Sequence, residues 1–331
     1  MANIVEISSV VKKFGDFTAV DHVSISVKEG EIYGILGPNG AGKTTSINML
    51  LGILPITSGA IHIAGLDIAK NPEKVKQLIG MMTQETVVET DLTARQNLEI
   101  FAALYHINEP LRSRRVAEAL KEAELEKFAD VKAGTFSGGM QRRLELVKSM
   151  IQDPKLLILD EPTTGLDVQN RLSMWERIRA LNASGVTIIL TTQYLEEADA
   201  LCDRIAIIDH GVVKAIGTPS ELKSMVSKGN ILEITLKLSD AEKAYRVLKG
   251  RLKIPLEIRG DRILGSLEKA DSSAISNAIS ILEREHIQPL AIGTHLPTMN
   301  DVFVKLTGSA LRDTTGEQTS SMIKMRHGIP R

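Results

Sequence analysis

Residues 37–44 read Gly-Pro-Asn-Gly-Ala-Gly-Lys-Thr and fit the pattern G-x-x-x-x-G-K-[ST]. Glycines at this spacing let successive backbone N–H groups turn inward and cradle phosphate oxygens, and a helix starting there adds the positive end of its dipole. Lys43 then brings a cation to the terminal phosphates, and Thr44 a hydroxyl to Mg²⁺. Gly37, Pro38, Asn39, Gly40, Ala41, Gly42, Lys43, Thr44 and the adjoining Thr45 are the candidate loop. A second chemical element is Leu156-Leu-Ile-Leu-Asp160-Glu161, an apolar run ending in two carboxylates. Adjacent strand residues point to opposite faces, so the two acids divide the work unless the strand ends between them. Asp160 suits Mg²⁺, directly or through water, and Glu161 suits the orientation and deprotonation of an attacking water. Each motif alone has a bland alternative, a glycine turn or a solvated acidic pair. Their occurrence together favours phosphate chemistry.

The elements that must position these groups alternate between strand and helix. Ile- and Val-rich strands are expected over 4–11 and 23–36, the second ending at Gly34-Ile35-Leu36 against the loop. A helix from about Gly42 to Leu51 and a strand over 60–63 follow. Asp91 or Thr93 can cap a helix on which Leu98, Phe101, Ala102 and Tyr105 recur, and a second helix spans about 110–128, so a helical insertion is expected over about 88–135. Short apolar runs at 156–160, 186–191 and 204–208 read as strands buried on both faces of a largely parallel sheet, which gives the α/β class. Ser224 to Asn230 reads as a linker, dividing a domain over 1–225 from one over 230–307. The second domain reads strand 231–238, helix 240–250, strand 254–259, strand 262–268, helix 272–285 and strand 288–294, a βαββαβ, ferredoxin-like order, with helix 298–307 closing it. The aperiodic stretch 308–331 reads as a mobile tail.

Composition narrows the partners. Of 331 residues, 40 are Lys or Arg and 41 Asp or Glu, so the net charge of −1 provides no global field for nucleic acid or an anionic membrane. With 43% hydrophobic and 24% charged residues the chain is globular, and 3% aromatics leaves little for base stacking. The single cysteine, Cys202, forms no internal disulfide and no zinc spacing occurs, which suits the cytosol. No uncharged run of 18 residues appears, and the N-terminal segment lacks a long apolar stretch, so neither a membrane span nor secretion is expected. His286 and His295 stand isolated and read as structural.

Phe136-Ser137-Gly138-Gly139-Met140-Gln141, ahead of Asp160-Glu161-Pro-Thr-Thr-Gly-Leu-Asp167, narrows the choice among phosphate-loop proteins. Residues 1 to about 220 resemble an ABC-transporter ATP-binding subunit. The separate C-terminal domain, the Phe136-to-Met140 form of the signature and the stretch Thr191 to Asp199 are most similar to the daunorubicin-resistance type of drug-export ATPases. The resemblance implies a P-loop NTPase fold, ATP and Mg²⁺ as cofactors, and ATP hydrolysis that energises a separate integral membrane permease. It implies that Phe14 stacks on adenine, with Phe17 as a competitor for that place, and that Gln84 reaches Mg²⁺ and water and senses the permease. Ser137, Gly138 and Gly139 match the signature that contacts the γ-phosphate held by an opposite copy, in a head-to-tail homodimer, and Asp167 matches the loop that communicates across it. Gln193 stands where the family has histidine; its amide can donate to a γ-phosphate but carries no charge. The expected activity is export of a drug-like or lipophilic compound from the cytoplasmic face of the membrane. The alternatives are an importer subunit and, without sustained heptads or a basic face to support it, a soluble ATPase acting on DNA or ribosomes. No nucleic acid partner is expected. Met81, Met82, Val87, Val88 and Phe101 are either a docking surface for the permease or the small core of the insertion.

Overall fold

The computed structural model describes residues 2–268 and 273–308; beyond Gly308, the tail expected over 308–331 lies outside the described residues. The chain opens with a hairpin of β1 (Asn3–Phe14) and β2 (Phe17–Lys28), followed by β3 (Ile32–Leu36). The strand expected over 23–36 is therefore two, separated by a turn in which Gly30 takes φ 77°. The reason is a change of environment. β2 alternates between buried Val23, Ile25 and Val27 and wetter neighbours, whereas β3 is buried at all five positions, so the two belong to different sheets. Next come α1 (Lys43–Leu50), β4 (Ser58–Ile63), β5 (Leu66–Asp67), α2 (Pro72–Lys76) and β6 (Ile79–Met82). The insertion contributes α3 (Ala94–Leu104) and α4 (Leu111–Glu122), the former started by a capping box between Thr93 and Gln96. After it come α5 (Gly138–Met150), β7 (Leu156–Asp160), α6 (Val168–Ala183), β8 (Thr187–Thr192), α7 (Leu195–Leu201), β9 (Arg204–Asp209), β10 (Val212–Gly217) and α8 (Pro219–Ser224).

A six-stranded sheet in the order β10-β9-β3-β8-β7-β6 forms the middle layer, parallel throughout except for the β9–β10 pair. An antiparallel sheet, β2-β1-β4-β5, lies over one face. Ile189 of β8 packs into the core between the two sheets, while Ile188 and Leu190 pack on the other face against α5, α6 and α7. Full burial of each such side chain stabilises by about 1.5–3 kcal/mol, and both faces of β8 receive it.

The remaining elements are β11 (Ile231–Thr235), α9 (Leu238–Arg251), β12 (Leu256–Arg259), β13 (Arg262–Ser266), α10 (Ser273–Arg284), β14 (Ala291–His295) and α11 (Met299–Thr307). The four strands form an antiparallel sheet in the order β12-β13-β11-β14, with Leu232, Ile234 and Ile263 packed against Ala244, Leu248 and Leu282 of α9 and α10. Helix α11 departs from expectation. It does not close this second unit; its Met299, Val302 and Phe303 join the core of the first unit, beside Leu201 and Leu222. Its apolar spacing identifies an amphipathic helix but carries no information about which core receives it.

Candidate active site

Neighbouring parallel strands bring the chemistry to one edge. β3, β8, β7 and β6 are adjacent and parallel, so their C-terminal ends emerge together. The loop at Gly37 follows β3, Gln193 follows β8, Glu161 follows β7 and Gln84 lies two residues beyond β6. Open parallel sheets bind ligands outside the carboxyl ends of their strands, for the same geometric reason.

Within the loop, Gly42 caps α1 at φ 100°, and a Cβ there would stand 2.6 Å from the Ala19 carbonyl oxygen, so both backbone angle and space demand glycine. The Gly37 N–H is tied to the Thr192 carbonyl at 3.4 Å, and the Ala41 carbonyl accepts from Gly211 N at 3.0 Å. Asn39, Gly40 and Thr44 are exposed and Pro38 and Thr45 half-buried, whereas Lys43 is buried. Lys43 Nζ donates to the carbonyls of Gly37 at 2.9 Å and Pro38 at 3.3 Å, and lies 3.4 Å from Glu161 Oε1. Burial pulls the lysine below its ordinary pKa, and the charge of Glu161 opposes that shift.

β7 ends at Asp160, and Glu161 takes φ 48°, a left-handed angle that is uncommon for a residue with a Cβ. The strand thus ends between the two acids, and the charges of both act on Lys43. The Thr191 hydroxyl donates to Asp160 Oδ1, and Glu161 N–H is held by Thr191 at 3.1 Å. Burial raises the Asp160 pKa, opposed by hydrogen bonds from Thr191 and Thr44 and by the Lys43 charge. Glu161 Oε2 accepts from the Thr164 hydroxyl at 3.0 Å and from Gln193 Nε2 at 3.4 Å. Gln193, expected at a γ-phosphate, is therefore placed beside Glu161. Among the described residues no cluster of three His, Cys, Asp or Glu side chains could hold a metal. A Thr44 hydroxyl beside the Asp160 carboxylate nevertheless fits Mg²⁺, which uses one or two protein carboxylates and completes its shell with phosphate and water oxygens. The contributions of Thr191 and Thr164 escaped sequence reasoning, because a threonine in or after an apolar strand carries no signal of what it faces.

The other expected residues lie on separate elements. Phe14, 47% exposed, sits at the end of the first hairpin with Lys12 Nζ 4.9 Å from its ring centre; Phe17, paired opposite, is 66% exposed. Gln84 is exposed in the segment after β6. Ser137 caps α5 by accepting from Met140 N–H, and with Gly138 it faces solvent. Gly139 is buried, and a Cβ there would stand 2.4 Å from Asn170 Oδ1. Asn170 is in turn bonded twice to Asp167, which caps α6, so the signature glycine packs against the Asp167 loop. Of the candidate docking residues, Met82 lies fully in the core and Met81, Val88 and Phe101 pack against cores; Val87 alone of the five is exposed.

Comparison with known proteins agrees with this geometry. The ABC transporter family model matches residues 20–164. The daunorubicin resistance ATP-binding protein DrrA2 of Streptomyces coeruleorubidus is 37% identical over 96% of this chain and 98% of its own. The Nod factor export ATP-binding protein I of Ralstonia nicotianae is 36% identical over 94% of this chain and 95% of its own. A solved ATP-binding cassette, in a dimeric post-hydrolysis state bound to ADP and Pi, superposes with a TM-score of 0.59 at 28% identity, covering 65% of this chain and 98% of that one. Full-length similarity of this kind, on top of the strand-edge site, makes the chain a member of the ABC transporter family of ATP-binding proteins.

Proposed function

We propose that the chain hydrolyses ATP as one half of a head-to-tail homodimer and so drives a separate integral membrane permease that exports a drug-like or lipophilic compound. The observation that carries this reading is the meeting of Lys43, Glu161 and Gln193 within ion-pair or hydrogen-bond reach at one sheet edge, beside an Asp160 held by Thr191. Phe14 stacks on adenine. The backbone N–H groups of Gly37 to Thr45 and the Lys43 ammonium hold the phosphates. Glu161 orients a water and takes its proton as the water oxygen bonds to the γ-phosphorus and the bond to the bridging oxygen breaks, leaving ADP and phosphate. Gln193 holds Glu161 in place and donates to the γ-phosphate. Mg²⁺, held by Thr44, Asp160 and Gln84, would neutralise charge on the phosphates.

Ser137, Gly138 and Gly139 of a second copy close over the nucleotide, with Asp167 at the same boundary. Solvent exposure of Ser137 and Gly138 at a helix N-terminus supports this, as does the dimeric state of the similar cassette. Export is supported by relatives that are a daunorubicin resistance protein and a Nod factor export protein. Among the described residues no helix is long and apolar enough to cross a membrane; on this reading the chain sits at the cytoplasmic face through its permease. We read residues 1–225 with α11 as the ATPase unit, and the four-stranded unit as accessory.

Size-exclusion chromatography and phosphate release test the reading together. Glu161→Gln in Mg-ATP is expected to run as a dimer and to lose turnover. Monomeric behaviour of both proteins, with and without a permease, would sink the sandwich.

A further inference from the structure

Arg142 and Glu145 lie one turn apart on α5, 4% and 2% exposed, and pair at 2.9 Å. Burying two charges is unfavourable unless further hydrogen bonds complete them, so the remaining contacts of this pair explain its presence. Arg142 Nη1 also donates to the Thr83 carbonyl at 2.8 Å, and Nη2 to the carbonyls of Gln84 at 2.7 Å and Glu161 at 3.3 Å. Glu145 Oε1 accepts from the Thr83 hydroxyl and from Val87 N–H, each at 3.3 Å. Lys148, next along the same stripe, donates to the Val87 carbonyl. Side chains of α5 thus hold the backbone of residues 83–87 at both ends. Glu161 is pinned in the same way, its N–H by Thr191 and its carbonyl by Arg142. A residue at φ 48° persists only where its surroundings over-determine it, and these bonds do so.

We propose that Arg142, held by Glu145, is a positioning residue that locks the Gln84 segment and the Glu161 backbone to the helix that begins at Ser137. The inference rests on the reading of Glu161 as the base. Its consequence is mechanical: a shift of α5 when Ser137 meets a nucleotide on a second copy reaches Gln84 and Glu161 through one guanidinium. Only arginine offers a planar fork of donors, and a lysine nitrogen cannot serve carbonyls on two sides.

The test uses the full chain, with Mg-ATP as the probe. Arg142→Gln with Glu145→Gln removes both charges of the pair together, and Arg142→Lys keeps the charge but not the fork. Both are expected to leave the KM for ATP within about twofold and to lower kcat on the order of 10- to 100-fold, since small misplacements of reacting groups cost that much. A helix-packing role alone would lower the melting temperature without splitting kcat from KM. The proposal is overturned if either folded variant keeps kcat within about twofold of wild type, or if KM rises while kcat holds. Should the double variant not fold, Arg142→Lys decides alone. Glu161→Gln run in parallel separates the two readings: if it abolishes turnover while the Arg142 variants are unaffected, only the positioning role falls, and if it turns over normally, both fall.

Discussion

Lys43 Nζ stands 3.4 Å from Glu161 Oε1, and each side chain is 5% exposed. The proposed phosphate-binding cation and the proposed base are therefore each other's closest charged partners, in a setting where burial weakens the lysine's hold on its proton. On the proposed reading, a γ-phosphate entering this site competes with Glu161 for Lys43.

Glu161→Gln removes that competitor and the base together. Turnover is expected to fall by about 10²- to 10⁴-fold, while ATP binds several-fold more tightly. Equilibrium binding of a fluorescent ATP analogue checks the second part: weaker binding by the variant would show that the ion pair supports the loop instead of competing with its ligand.

Asp160 gives a prediction about pH. Burial lifts its folded pKa above the ordinary 3.8, so the folded state holds a proton that the unfolded chain releases earlier. Wild type therefore loses stability relative to Asp160→Asn as pH climbs from about 4 through the folded pKa, and the difference levels off above it. In Mg²⁺-free buffer the variant is expected to melt at least as high as wild type at pH 4 and clearly higher at pH 8. Its Mg²⁺-dependent turnover is expected to fall by about 100-fold or more. Equal melting temperatures across that range would remove the burial penalty from the account.

Gln193 Nε2 reaches Glu161 Oε2 at 3.4 Å, so its expected contribution is orientation without charge. Gln193→Ala should lower kcat about tenfold with little change in KM. Gln193→His introduces an imidazole with an ordinary pKa near 6.5, and a new titration in the kcat profile between about pH 6 and 7 is the expected sign. Identical profiles for wild type and the histidine variant would place residue 193 outside the reacting groups.

How much of this was legible depended on whether the information lay in neighbouring residues. Gly37 to Thr44 and Leu156 to Glu161 are contiguous, and their chemistry follows from a strand that runs straight into it. Arg142 was not legible, because its acceptors are backbone carbonyls 19, 58 and 59 residues away, and carbonyls leave no mark on a sequence. A trace existed: opposite charges three apart, at 142 and 145, inside a helix whose Leu144, Leu146 and Val147 are also buried. The same limit hid the turn at Gly30, where one apolar stretch feeds two sheets.

Gly139 is placed for a coupling test. Its added methyl would meet Asn170 Oδ1 at 2.4 Å, and Asn170 cannot swing aside without releasing Asp167. Gly139→Ala is expected to destabilise by about 1–3 kcal/mol. With Asn170→Ala in the same chain the clash disappears, and urea unfolding should return a coupling energy of about 1 kcal/mol or more. Strict additivity would mean that the two helices part freely.

Phe303 decides to which unit the last described helix belongs. It is 1% exposed and packs with Leu201 and Leu222, although it follows the accessory strands in sequence. Lys305 Nζ adds a hydrogen bond to the Met225 carbonyl at 2.7 Å, which ties the helix to the end of the proposed ATPase unit. Phe303→Ala removes a large ring from a close-packed interior, and a loss of about 3–5 kcal/mol is expected. ATP provides the discriminating readout, because a ligand stabilises only the cooperative unit that binds it. If α11 is part of the ATPase unit, the transition lowered by Phe303→Ala is the one that ATP raises. A variant whose ATP-sensitive transition is unmoved, while another transition falls, would return α11 to the accessory unit.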